Sequence, residues 1–137
     1  MPVQILLIED EPALRAEILE HLIRRRHRVI AVGSLAEALE ALDGAGGTVP
    51  DAIVSDIRLP DGDGVHFYVE NARRFPNTRW ILMSGNHDLV RVGNQLKSAG
   101  DLPPCAVVDK PLPLRLMDRF LEAIPTSTPV QGGGGLR

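Results

Sequence analysis

Ala52-Ile53-Val54-Ser55-Asp56-Ile57-Arg58-Leu59-Pro60-Asp61-Gly62-Asp63-Gly64 decides the fold. A short apolar run ends in an aspartate, and the turn after it holds a proline and glycines, which permit positive φ. Apolar residues at successive positions suit a strand covered on both faces, as in a parallel sheet. A strand over Asp51–Ser55 therefore delivers Asp56 at its C-terminal end. Asp63 can cap a helix reaching about Phe75, which Pro76-Asn77 breaks.

The same pattern recurs on either side. Gln4–Ile8 is apolar and runs into Glu9 and Asp10; Trp80–Met83 runs into Ser84; Cys105–Val108 runs through Asp109 into Lys110-Pro111. Between these strands lie helical patterns. Pro12 suits a first helical turn, and Leu14, Ile18 and Leu22 repeat every four residues in a helix ending near Arg26. Arg28–Val32 is a short, more polar strand suited to a sheet edge. Ser34 with Glu37 forms a capping box, and the helix it opens, with Leu35, Ala38, Leu39 and Leu42 on one face, closes at Gly44. After the loop Gly44–Pro50 and the stretch above, a helix from about His87 to Ser98 carries Leu89, Val92 and Leu96 inward. The connection Gly100–Pro104 precedes the last strand, and Leu112–Ile124 is the last helix, with Leu114, Met117, Leu121 and Ile124 on its face. Alternation of strand and helix predicts βαβ units around a parallel sheet.

Composition limits the function. The chain has 137 residues, 44% hydrophobic, enough for one core. Residues 1–125 are read as one domain and 126–137, rich in Ser, Thr, Pro and Gly, as a flexible tail. A net charge of −3 with interspersed signs gives no basic field for nucleic acid. No run nears the roughly 20 apolar residues of a membrane span. Met1-Pro2-Val3 does not start a signal peptide, and Cys105 is the single cysteine, so a cytoplasmic setting is expected. The run Arg24-Arg25-Arg26-His27-Arg28 fits cations at a helix C-terminus better than a nucleic-acid patch. His21, His27, His66 and His87 show no metal-ligand spacing, and Cys105 reads as a small core residue.

Neighbouring parallel strands bring these C-terminal residues to one edge, where open α/β sheets bind ligands. Carboxylates, a hydroxyl and an ammonium gathered there read as a magnesium and phosphoryl site. Singly, each has a plain reading: Asp10 as a helix cap, Asp56 as a turn cap, Ser84 as a strand-end hydroxyl. Together, several carboxylates without a cation would repel one another.

Glu9-Asp10, Asp56 before Leu59-Pro60-Asp61-Gly62-Asp63-Gly64, Ser84-Gly85 and Lys110-Pro111, in that order, resemble the receiver domain of two-component response regulators (CheY-like) over about residues 3–124. The resemblance implies a flavodoxin-like (βα)5 three-layer sandwich with a five-stranded parallel sheet of order 2-1-3-4-5. It implies Asp56 as phosphoacceptor, Lys110 and Ser84 as partners of the phosphoryl oxygens, and Mg²⁺ held by Glu9, Asp10, Asp56 and the backbone carbonyl of Arg58. Lys110-Pro111 is expected to be cis. The phosphoryl donor is a sensor histidine kinase or histidine phosphotransfer protein, docking near Pro12–Leu19 and Lys110–Pro113. With no effector domain in these residues, the output is contact with a downstream protein target, and homodimerisation through the fourth strand, fourth helix and fifth strand is common among relatives.

Some positions depart from the family. Val107 stands where many receivers carry Tyr or Phe, Asp109 is an acid where an uncharged residue is common, and Lys110 lies farther than usual from Ser84. Arg58 is placed to lie over the phosphoryl group or to pair with Glu9. Two alternatives remain: a degenerate receiver acting as a phosphorylation-independent module, and a magnesium-dependent phosphatase working through an aspartyl phosphate. The second needs an Asp two residues after the nucleophile, where this chain has Arg58.

Overall fold

Five strands, β1 (Gln4–Ile8), β2 (Arg28–Val32), β3 (Ala52–Asp56), β4 (Arg79–Ser84) and β5 (Cys105–Asp109), pair in parallel in the order 2-1-3-4-5. The structure, a computed structural model, describes residues 2–44, 49–85, 89–103, 105–111 and 113–123. The expectations for Asn86, His87, Pro104, Leu112, Ile124 and the tail 126–137 lie outside these residues, as does the side chain of Leu89.

Side-chain alternation divides the core into two layers. Ile5, Leu7, Val54, Ile81 and Met83 face α1 (Pro12–Arg24) and α5 (Leu114–Glu122), meeting Ile18, Leu22, Met117 and Leu121. Leu6, Ile8, Ile53, Trp80 and Leu82 face the opposite way. There they meet Ala38 and Leu42 of α2 (Leu35–Asp43), Val65, Phe67 and Tyr68 of α3 (Gly64–Asn71) and Val92 of α4 (Leu89–Ser98). This is the three-layer, flavodoxin-like sandwich. All five residues of β3 are buried, whereas β2 and β5 are edge strands with half-exposed or exposed residues. Among the described residues, no helix is long and apolar enough to cross a membrane.

The local signals act through identifiable bonds. Ser34 Oγ accepts the Glu37 amide at 3.2 Å, while the Glu37 carboxylate reaches one residue past the expected box to the Gly33 amide at 3.0 Å. Asp63 accepts the Val65 amide at 2.7 Å and so opens α3. That helix stops at Asn71 and tightens into a 3-10 turn, Ala72–Arg74, where the Asn71 side-chain amide donates back to the Phe67 carbonyl. β3 begins one residue later than expected because Asp51 is engaged otherwise: its carboxylate accepts the Gln4 amide and its own amide donates to the Gln4 carbonyl.

Helix α1 ends without glycine. Arg26, at φ +68°, donates to the Ile23 carbonyl and His27 to the Leu22 carbonyl, the paired bonds of a Schellman motif. Two cations of the basic run have ordinary partners: Arg24 pairs with Glu20 on its own helix, and Arg25 with Asp118, which also holds His21. Cys105 is half-buried and free, and burial pushes its thiol pKa up, as expected of an unreactive packing residue.

Candidate functional site

Register places the chemistry. Ile8 lies beside Ser55, Asp56 beside Met83, and Ser84 beside Asp109. Glu9, Asp56, Ser84 and Lys110 therefore emerge at the same edge of the sheet. The carboxylates of Glu9, Asp10 and Asp56 each offer an oxygen, and these oxygens lie within 4.8 Å of one another.

Glu9 is fully buried. Its amide donates to the Val32 carbonyl and its carbonyl accepts the Arg15 guanidinium at 2.9 Å, which fixes the backbone after β1. One carboxylate oxygen accepts the Glu11 amide at 3.2 Å and the other meets Lys110 Nζ at 3.2 Å. Burial, with the nearby Asp56 carboxylate adding to it, raises the Glu9 pKa against the opposing pull of the Glu11 amide and Lys110. Asp10 is exposed, and it does not cap α1: the N-cap position belongs to Glu11.

Asp56 is 6% exposed, and its Oδ2 lies 2.9 Å from Lys110 Nζ. Beneath it, the Ser55 hydroxyl donates to the Asp56 carbonyl at 2.8 Å. Burial draws the Lys110 pKa down, but its bonds to Asp56 and Glu9 outweigh this and leave it raised. The cis Lys110-Pro111 bond follows, and the Lys110 amide donates to the Ser84 carbonyl at 2.8 Å. Ser84 is buried, and its hydroxyl donates to the Gly85 carbonyl at 3.2 Å.

The structure thus joins Glu9, Asp56 and Lys110 by direct bonds, adds Asp10 at their rim, and links Ser84 through the backbone. Arg58 lies in a two-residue ribbon, Arg58–Leu59 against Gly62–Asp63, with an exposed side chain. Both Glu9 oxygens are engaged elsewhere, by Lys110 and the Glu11 amide. Val107, half-buried, packs against the core layer beneath α2, α3 and α4.

Three residues near the site had no role of their own in the sequence reading, although Asp61 and Gly64 belong to the turn quoted after Asp56. Asp61 accepts the Leu35 and Ala36 amides, both at 2.9 Å, clipping the loop after Asp56 onto the start of α2. These bonds hold its carboxyl pKa below the usual value. Arg15 supports Glu9, and Gly64 makes room for Asp56: a Cβ there would stand 2.3 Å from the Asp56 carbonyl oxygen. Gly62 alone in that turn uses glycine's backbone freedom, at φ +155°.

An all-carboxylate donor set suits a hard cation such as Mg²⁺, which takes oxygen ligands, and does not suit the nitrogen and sulfur preferences of zinc. The chain belongs to the response regulator receiver domain family, whose model matches residues 5–122. Receivers of this family are signalling switches of two-component systems. The transcriptional activator protein PfeR of Pseudomonas aeruginosa is 34% identical over 122 residues, covering 88% of this chain and 37% of that protein. The transcriptional regulatory protein AfsQ1 of Streptomyces coelicolor is 32% identical over 120 residues, covering 88% of this chain and 50% of that protein. The chain spans half or less of these curated relatives. Among solved structures, a response regulator receiver protein from Sinorhizobium medicae superposes with a TM-score of 0.71 at 29% identity, covering 90% of this chain and 98% of that one.

Proposed function

We propose that Asp56 accepts a phosphoryl group and that the resulting aspartyl phosphate alters the contacts this receiver makes with other proteins. The observation that carries this reading is the buried Asp56 carboxylate, 2.9 Å from Lys110 Nζ and grouped with the Glu9 and Asp10 oxygens. An Asp56 oxygen attacks phosphorus, and the P–N bond of a phosphohistidine, or the P–O bond of a small acyl phosphate, breaks. The bonding pair leaves with the imidazole, which takes a proton from water, or with the carboxylate of the acyl donor.

Lys110 follows the transferred charge from the Asp56 carboxylate to a phosphoryl oxygen. The Ser84 hydroxyl turns from the Gly85 carbonyl to another. Glu9, Asp10, Asp56 and the Arg58 carbonyl would hold Mg²⁺, which when bound offsets the negative charge shared by the carboxylates and the phosphoryl group. New bonds to Ser84 and Lys110 bias the loops after β3 and β4 between existing conformations. Donor proteins, a sensor histidine kinase or a histidine phosphotransfer protein, would reach Asp56 over the start of α1 and residues 110–113, in the cytoplasm. The readout is a downstream protein, bound or released according to the state of Asp56.

Intact-mass spectrometry after incubation with acetyl phosphate and Mg²⁺ tests this. One labile phosphoryl adduct, lost in Asp56→Asn, is expected. No adduct on the parent chain would select a phosphorylation-independent module, and sustained turnover of a phosphomonoester would select a phosphatase.

A further inference from the structure

The ribbon that carries Arg58 is too short to hold itself. Arg58 pairs with Asp63 and Leu59 with Gly62, and an isolated two-stranded hairpin is at best marginally stable in water. Its position is therefore set from outside. At its base the Ile57 amide donates to the Met83 carbonyl at 3.0 Å and the Gly64 amide to the Ile57 carbonyl at 2.7 Å. The returning strand is fixed to α3, since Asp63 accepts the Val65 amide.

The tip is held by α2. Asp61 accepts the Leu35 amide on one carboxylate oxygen and the Ala36 amide on the other, both at 2.9 Å. Beside it the backbone of Gly62 lies against Leu35, where a Cβ would stand 2.9 Å from the Leu35 Cδ1. The helix depends on the loop in return. The first amides of a helix have no partner within it; Ser34 takes that of Glu37, and Asp61 takes those of Leu35 and Ala36. Arg58 and Asp61 are three residues apart, a span of at most about 11 Å, so a shift of the tip reaches the Arg58 backbone with little slack to absorb it.

We propose that Asp61 is a positioning residue for the metal site: by clipping the ribbon to α2 it sets where the Arg58 carbonyl stands, and a cation bound there tightens the start of α2 in turn. The inference rests on the proposed reading of the Arg58 carbonyl as a Mg²⁺ ligand. Asp61 acts from outside the pocket, since both its oxygens are taken by amides of α2. Linkage makes the effect reciprocal: whatever factor the clip adds to Mg²⁺ affinity, Mg²⁺ adds to the stability of the clip. The start of α2 thereby registers whether the site is loaded, by a route that does not pass through α4 or β5.

Calorimetric titration with Mg²⁺ at constant ionic strength, together with amide exchange followed by NMR, tests the coupling. Asp61→Ala should weaken Mg²⁺ binding about fivefold, and Asp61→Asn, which keeps an acceptor, should weaken it less. Saturating Mg²⁺ should slow Leu35 and Ala36 exchange in the parent chain by a similar factor and leave it unchanged in Asp61→Ala. Ser34→Ala frays the same helix start without touching the ribbon, and should bind Mg²⁺ as the parent does. Equal weakening in Ser34→Ala and Asp61→Ala overturns the proposal, because the integrity of α2 and not the clip would then govern the metal. Mg²⁺ binding that leaves Leu35 and Ala36 exchange unmoved in the parent overturns it too, by a measurement that needs no variant. A parent chain that binds no Mg²⁺ overturns the reading of the metal site itself, and this coupling with it.

Discussion

Gly64 lies against the backbone of Asp56: a Cβ at Gly64 would stand 2.3 Å from the Asp56 carbonyl oxygen and 3.2 Å from the Ile57 Cα. The Gly64 amide also donates to the Ile57 carbonyl at 2.7 Å, so the start of α3 is drawn onto the end of β3. Backbone cannot yield as a flexible side chain can. Gly64→Ala should cost about 1–3 kcal/mol and displace Asp56; urea unfolding and the acetyl phosphate assay report the two effects. Unchanged stability and labelling would refute the close-contact account.

A cation bound among the carboxylates of Glu9, Asp10 and Asp56 would compete with Lys110, whose Nζ lies 3.2 Å from Glu9 Oε1 and 2.9 Å from Asp56 Oδ2. At an effective dielectric near 20, opposed unit charges about 4 Å apart interact by about 4 kcal/mol, and solvent and salt screen much of it. Lys110→Ala should therefore tighten Mg²⁺ binding roughly tenfold while lowering the yield of aspartyl phosphate. Calorimetric titration measures the first and mass spectrometry the second. Weaker metal binding in the variant would show that Lys110 organises the carboxylates instead of competing for them.

Mg²⁺ should raise the melting temperature of the parent chain, since a ligand at ten times its dissociation constant adds about 1.4 kcal/mol. Asp10 is exposed, so Asp10→Asn should fold normally and lose most of that shift. An equal shift in both proteins would place the metal elsewhere.

Asp61→Ala removes the acceptor for the Leu35 and Ala36 amides and should destabilise the fold by about 1 kcal/mol, the loss typical of a helix cap. Asp61→Asn keeps an acceptor and should recover part of it. Chemical denaturation of both variants reads the difference, and an Ala variant as stable as the parent would mean that solvent satisfies those amides equally well.

His27 provides a pH prediction. Its Nδ1 accepts the Val3 amide at 3.1 Å, and burial lowers its pKa below the ordinary value. The neutral ring is the form the fold prefers. Its contribution is complete above about pH 6.5 and is lost as pH falls through the lowered folded value. Thermal unfolding of the parent chain should therefore weaken from about pH 6.5 downward more than that of His27→Gln, which keeps an acceptor and does not titrate there. Parallel curves for the two proteins would remove His27 from the balance.

What the sequence disclosed follows from the range of each interaction. Apolar runs marked β1, β3 and β4, because a buried parallel strand needs nothing more than continuous apolar residues, while the more polar Arg28–Val32 was legible as an edge. Ser34 and Asp63 marked helix starts, because a cap acts within three residues. Glu9, Asp10, Asp56, Ser84 and Lys110 were legible as strand-end residues once the strands were placed. Asp61 was not, since its amide partners lie 25 and 26 residues away, where no local pattern reaches. Arg15 was hidden for a similar reason: a surface arginine on a helix carries no mark of the carbonyl it will find. The end of α1 lacked its usual signal because Arg26 occupies a backbone conformation that glycine ordinarily fills. Gly64 was visible as a turn residue, but its need for space beside Asp56 belongs to the assembled fold.

The two kinds of charge at this edge have unequal footing. Glu9 follows β1 and Asp56 ends β3, strands held between helical layers, whereas Lys110 hangs from β5, whose residues are half-exposed along nearly its whole length. An incoming phosphoryl group would meet a rigid floor and a compliant counter-charge. Tuning how long the switched state persists would then call for redesign of the margin around β5, leaving the centre of the sheet untouched.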